Sequence, residues 1–193
     1  MKNALGAAPK TPALRLFLAV LASLAVVASL AAPAGATTPG GVTSTAPEAE
    51  ETTETGPPGK AMLVNGRAIP PANAPAAVKQ VIAAANKIRT KPYIYGGGHG
   101  KWWDRGYDCS GSVSYALHGG DFLESPLPSG PMASWGAGGE GRWITVWTNA
   151  GHAYAEIAGY RWDTSGDVGE TGPRWHADLR DNVGFVARHP LGY

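Results

Sequence analysis

Residues 106–120 read GYDCSGSVSYALHGG and contain Cys109, the only cysteine in a chain of 193 residues. The stretch predicts a helix that begins near Cys109 and ends at Gly119-Gly120, because an apolar side follows the cysteine and glycines terminate helices. That apolar side consists of Val113, Tyr115, Ala116 and Leu117. Asp108 occupies the position of an N-cap or of an adjacent turn residue. The sequence therefore predicts a helix that starts at a cysteine.

Patterns on either side of this helix predict the fold class. Residues 75–89 have apolar side chains at helical spacing, with Asn73 as the expected cap. After a loop-rich segment, the β-branched, aromatic or alternating patterns of strands follow at 142–148, 152–158, 160–164 and 184–188. Helices followed by an antiparallel meander predict an α+β domain, with N-terminal helices packed on an antiparallel sheet.

The N-terminus has the pattern of an export signal. A basic start precedes an apolar run from Leu16 to Ala32, and the small residues Ala34-Gly35-Ala36 follow it. We expect cleavage after residue 36 and a secreted or cell-envelope location. The alternative is an uncleaved membrane anchor, because the apolar run approaches the length that spans a bilayer.

Residues 37–72 are predicted to be a disordered linker rich in Thr, Pro, Gly and Glu. Its first part, residues 37–60, has no aromatic residue and only one large aliphatic residue, Val42, so it offers little apolar surface to bury. Residues 61–72 are transitional, because a few apolar side chains there could pack on the domain. The folded domain is expected to span residues 73–193.

Charge gives no indication of a nucleic-acid partner. The whole chain has 16 Lys and Arg residues, of which three lie in residues 1–36. The remaining chain then has 13 basic residues against 15 Asp and Glu residues, a net charge of −2, with no basic stripe. After signal cleavage we expect no stable membrane partner either.

Export makes a lone cysteine unusual, because cysteines outside the cell generally pair. Cys109 could form an intermolecular disulfide, pack as a small buried side chain, or act as a nucleophile. A zinc site is disfavoured by the single cysteine and by histidine spacings that match no common zinc motif, and no other cofactor is indicated. A helix N-terminus stabilises a thiolate, so nucleophile and structural residue remain equally good readings of the local sequence.

Five histidines are candidates for a base that would activate the thiol. His118 is too far along the same helix to reach the sulfur of Cys109, and suits the helix C-terminus instead. His152 opens a predicted strand directly after a turn, so its side chain can point into a cleft. The other histidines are His99 in a glycine-rich loop, and His176 and His189 near the C-terminus.

Asp163 is the candidate for a group that orients His152. If Gly159 turns a hairpin, the two strands bring Asp163 opposite His152. Asp163 is explained equally well as a turn residue before Thr164.

Taken together, PYIYGGG, then YDCSGSVSYAL, then a histidine after a turn and a polar residue one hairpin later resemble the NlpC-type (NlpC/P-sixty) cell-wall cysteine peptidases, which are compact papain-like domains. The resemblance covers about residues 75–190. The chain departs from the family pattern in two respects. GRWITVWTNAGH replaces the usual run before the histidine, and Asp163 stands where the family often has a histidine.

The resemblance implies that Cys109 is the nucleophile, His152 the general base and Asp163 the third residue. It implies that Tyr93 helps to stabilise the oxyanion or the substrate, and that Asp108 and Ser110 help to hold a peptide's free amino end. The implied substrate is a peptidoglycan stem peptide, cleaved between D-glutamate and the diamino acid. A catalytically silent wall-binding module, or an amidase or acyltransferase on the same scaffold, are the alternatives.

Overall fold

A computed structural model of the chain describes residues 59–169 and 171–193, all of which belong to one compact unit. The expected signal peptide and residues 37–58 of the expected linker lie outside the described residues. Within the described ranges, no helix combines the length and apolarity that a membrane crossing requires. The predicted α+β class is confirmed: helices pack against a six-stranded antiparallel sheet, an arrangement consistent with a papain-like domain.

Two short strands, β1 (Met62–Val64) and β2 (Arg67–Ile69), form an antiparallel hairpin at the start of the described domain. Asn65 and Gly66 both have positive φ, as a tight hairpin turn requires. The prediction of a disordered linker to residue 72 is therefore wrong for residues 59–72. The reason is tertiary: buried Asn86 donates to the backbone carbonyl of Ala68 and accepts from its N–H.

Three helices follow: α1 (Ala76–Ile88), α2 (Cys109–Gly119) and the short α3 (Ser129–Met132). The expected cap of α1, Asn73, instead accepts a hydrogen bond from the backbone N–H of Gly59, and Pro75 stands at the N-cap. Helices α1 and α2 pack closely, because a side chain at Gly119 would overlap Ala84 of α1. This packing holds the cysteine-bearing helix against the sheet.

The sheet has the strand order β3-β8-β4-β5-β6-β7, and its neighbouring strands are antiparallel. Its strands are β3 (Ala137–Gly138), β4 (Ile144–Thr148), β5 (Ala153–Ile157), β6 (Tyr160–Asp163), β7 (Arg174–His176) and β8 (Val186–His189). The four predicted strands are present with slightly shifted ends. The two-residue β3 and the three-residue β7 were not predicted, since they are too short to show a pattern.

The hairpin of β5 and β6 connects the helices to the future site. Ala158 and Gly159 form its turn with positive φ, and Ile157 pairs with Tyr160. Alternation directs Ala155 and Trp162 toward the helices, and the Trp162 indole N–H donates to the carbonyl of Ser112 in α2. The N-terminal end of α2 is thereby fixed beside the start of β5.

Candidate active site

Cys109 is the first residue of α2, as its sequence predicts. Asp108 is the N-cap, and its Oδ1 accepts a hydrogen bond of 2.7 Å from the backbone N–H of Gly111. Gly111 must lack a side chain, because a Cβ there would overlap the carbonyl oxygen of Gly97 in the preceding loop. This close contact brings the glycine-rich loop against the helix start, so the sulfur faces a cleft and not a second helix.

His152 stands just before β5, held by the turn that precedes it. The side-chain oxygen of Asn149 accepts hydrogen bonds of 2.9 Å from the backbone N–H groups of Gly151 and His152. The imidazole Nε2 lies 2.9 Å from Oδ1 of Asp163. Because a carboxylate oxygen only accepts, Nε2 carries a hydrogen, and the other ring nitrogen remains for the hydrogen bond with Cys109.

Asp163 ends β6 and its side chain is fully buried. Its Oδ1 also accepts from the backbone N–H of Ser165, at 3.0 Å. Its Oδ2 accepts from the guanidinium groups of Arg161, at 2.7 Å, and Arg180, at 3.1 Å. The carboxylate therefore has a full set of donors, which compensates for the cost of burying its charge.

The electrostatics favour a thiolate paired with an imidazolium. Burial by itself would raise the pKa of the Cys109 thiol, but hydrogen bonds from His152 and from the backbone N–H of Ala153 outweigh burial and lower it. Burial by itself would lower the pKa of His152, but its hydrogen bonds with Asp163 and Cys109 prevail and raise it to about 9. For Asp163, burial is outweighed by its donors, and its pKa is lowered. The three shifts together describe a nucleophile–base–acid chain that is charged near neutral pH.

A groove of about 480 Å³ runs past Cys109. One wall is the loop that contains Tyr93, Tyr95 and His99, and the other is formed by residues 128–131 and 150–151. The second wall is anchored by the buried hydroxyl of Thr148, which donates to the carbonyl of Ser129 at 2.5 Å. An extended chain could lie in such a groove with a carbonyl carbon near the sulfur.

The three predicted substrate contacts line this groove. Tyr93 is half-exposed, and its backbone N–H donates to the carbonyl of Thr171. Asp108 and Ser110 are buried, and the Ser110 hydroxyl lies 3.3 Å from Oδ1 of Asp108. Both therefore also contribute to the structure of the helix N-terminus.

His99 was not among the predicted site residues, yet its ring lines the groove. Its Nε2 lies 3.0 Å from Oδ1 of Asp108 and 3.1 Å from Oγ of Ser110. The only sequence signal was a histidine within a glycine-rich loop, which does not reveal where the side chain points. The remaining histidines lie outside the groove; among them, His118 stacks on Trp102, with ring centroids 3.9 Å apart.

No protein-family model and no curated protein matches the chain. Among solved structures, the chain is similar to RipD from Mycobacterium tuberculosis, described as a non-catalytic NlpC/p60 domain protein with an adaptation to peptidoglycan-binding function. The two chains are 19% identical with a TM-score of 0.43, and the match covers 60% of this chain and 98% of the RipD chain. That description names the family that the sequence motifs resemble. At this TM-score the likeness carries no argument, so the function depends on the geometry of the site.

Proposed function

We propose that this domain is an exported cysteine peptidase that hydrolyses amide bonds in peptidoglycan stem peptides. The observation that supports it best is the hydrogen-bonded chain from Cys109 through His152 to the buried Asp163. A structural cysteine needs no imidazole partner, and a histidine that only packs needs no buried carboxylate. The stem-peptide substrate and the bond between D-glutamate and the diamino acid come from the resemblance of the sequence motifs.

The reaction would proceed by acyl transfer in two steps. The Cys109 thiolate attacks the amide carbonyl carbon, and His152 gives its proton to the leaving amine. A thioester now links the substrate acyl group to Cys109. His152, now neutral, takes a proton from water, the resulting hydroxide attacks the thioester, and the thiolate and the imidazolium are restored.

The negative charge on the carbonyl oxygen requires donors during both attacks. The first backbone N–H groups of a helix have no acceptor within the helix, and Cys109 is the first residue of α2. The Cys109 N–H is therefore the leading donor. Tyr93 lines the same groove and is a candidate for a second contact to the oxyanion or the substrate.

A non-catalytic peptidoglycan-binding module is the second candidate, because RipD is described as one. It explains the groove but leaves the charged, hydrogen-bonded trio at Cys109 without a purpose. An amidase or acyltransferase would use the same trio and would differ only in the products released.

Digestion of purified insoluble peptidoglycan separates these functions. We expect wild type to release peptides that mass spectrometry identifies as cleaved stem peptides, and Cys109→Ala to release none. Co-sedimentation with the same material measures binding of both proteins. If both proteins sediment with the polymer and neither cleaves it, the domain is a binding module and the peptidase proposal is wrong.

A further inference from the structure

The groove beside Cys109 is nearly without charge. Of the residues that line it, Asp108 has the only carboxylate and His99 the only basic side chain apart from the reactive thiol's own partner. A substrate with a free amino group at this end would bring an ammonium into a partly buried site. An ammonium in such a site needs a carboxylate as counter-ion, and Asp108 is the carboxylate within the groove.

The acceptor positions of Asp108 are already used within the chain. Its Oδ1 faces the backbone N–H of Gly111 at 2.7 Å, His99 Nε2 at 3.0 Å and the Ser110 hydroxyl at 3.3 Å. Its Oδ2 accepts from the backbone N–H of Gly96 at 3.0 Å. A carboxylate has about four lone-pair positions, so four donors leave none for a ligand.

His99 is the one donor of these four that is not tied to the helix cap or to the backbone of the loop. Its Nε2 must carry a hydrogen, because the Asp108 oxygen that it faces can only accept. The same nitrogen lies 3.1 Å from Oγ of Ser110. A substrate N–H that was to reach both of these oxygens would have to occupy the position of the His99 N–H.

We propose that His99 is a specificity-determining residue that excludes a free amino group from this end of the groove. The substrate is then a stem peptide whose amino end is acylated, as it is while the peptide is still attached to its glycan. An acylated amine carries no charge and needs no counter-ion, so the occupation of Asp108 does not disfavour its binding. This inference rests on the proposed function, and it revises the expectation that Asp108 and Ser110 hold a free amino end.

Two matched peptides test the inference: the tripeptide L-alanyl-γ-D-glutamyl-diaminopimelate with a free amine, and its N-acetyl form. For wild type we expect kcat/KM to be at least about tenfold higher for the N-acetyl peptide, the scale of one charge-assisted hydrogen bond. In His99→Ala, Asp108 and Ser110 become accessible, and the ratio should move at least about tenfold toward the free-amine peptide.

Two further variants control for the origin of this shift. His99→Ala combined with Asp108→Asn keeps a side chain that can cap the helix but removes the charge, so the gain for the free amine should disappear. His189→Ala removes a histidine whose Nδ1 hydrogen-bonds to the carbonyl of Gly139, outside the groove, and the ratio should stay as in wild type. A wild type that accepts the free-amine peptide equally well, or a ratio that is unchanged in His99→Ala, overturns the inference.

Calorimetry in a Cys109→Ala background measures the same selectivity without turnover. Tighter binding of the N-acetyl peptide, reversed by adding His99→Ala, supports the inference even if wild type cleaves neither peptide and the peptidase proposal fails. Cleavage of both peptides with equal efficiency refutes the inference and leaves the peptidase proposal intact. If neither peptide is bound or cleaved, both the inference and the stem-peptide substrate are wrong.

Discussion

Asp163→Asn should lower the pKa of His152 and narrow the pH range in which the site is active. Asp163 is fully buried and accepts the His152 Nε2–H at 2.9 Å, so its charge stabilises the imidazolium directly. The substitution keeps the shape of the side chain and removes only the charge. The neutral form of His152 is favoured as a result, and the pKa moves down.

The size of the effect follows from the shift of His152, from 6.5 to about 9. At about 1.4 kcal/mol per pKa unit, this shift corresponds to about 3 kcal/mol in favour of the imidazolium. Asp163 and Cys109 share that stabilisation, since both hydrogen-bond to the ring. We therefore expect the pKa of His152 to fall by about one to two units when the charge of Asp163 is lost.

The assay is an NMR titration of the His152 ring, compared with the pH dependence of kcat/KM on a stem peptide. His152 must be protonated to give its proton to the leaving amine, so activity is lost as the pH rises through its pKa. The alkaline limb of the profile should therefore move to lower pH by the same one to two units. An alkaline limb and a ring titration that stay within about 0.3 unit of wild type would refute the role of Asp163.

Stability has to be measured in parallel, because the asparagine amide cannot accept from both guanidinium groups that now bind Oδ2. Arg161 would lose a buried partner, which costs about 3–5 kcal/mol when no other acceptor replaces it. The titrations should be run well below the melting temperature of the variant. Asp178→Asn is the matched control: Asp178 pairs with Arg161 at 3.0 Å but is largely exposed, so its loss should leave the pKa of His152 unchanged.

Two further variants test the surroundings of the site. Arg180→Gln removes a positive charge 3.1 Å from Asp163, so the pKa of His152 should rise by about half a unit and the alkaline limb should move up, whereas Arg180→Lys should restore the wild-type profile. A downward movement would contradict this account. Asn86→Ala removes three buried hydrogen bonds, two to strand β2 and one from an indole, and should lower the free energy of unfolding in urea by roughly 2–4 kcal/mol. A loss below about 0.5 kcal/mol would mean that these bonds contribute little.

Much of the fold was predictable because its elements are encoded locally. The apolar spacing after Cys109 and the cap at Asp108 are properties of consecutive residues, and the helix forms where they predict it. The same holds for the hairpin at Gly159, whose turn fixes the register of the two strands. That register is why Asp163 could be expected next to His152 without any knowledge of the tertiary structure.

The features that were missed depend on contacts between distant parts of the chain. The hairpin at residues 62–69 is ordered by Asn86, and neither segment reveals that contact by its own composition. Arg180 reaches Asp163 from a loop between β7 and β8, for which the sequence shows no regular pattern.

The sequence by itself determined the nucleophile, the base and the order of the elements, because periodic patterns and short turns are written in neighbouring residues. Only the tertiary structure decided the donors around Asp163 and the contact of His99 with Asp108. The path of the loop that carries His99 depends on its packing against Gly111 of α2, which no local pattern encodes. The chemistry of Cys109 is therefore readable from the sequence, whereas the substrate selectivity of its groove is set by long-range packing.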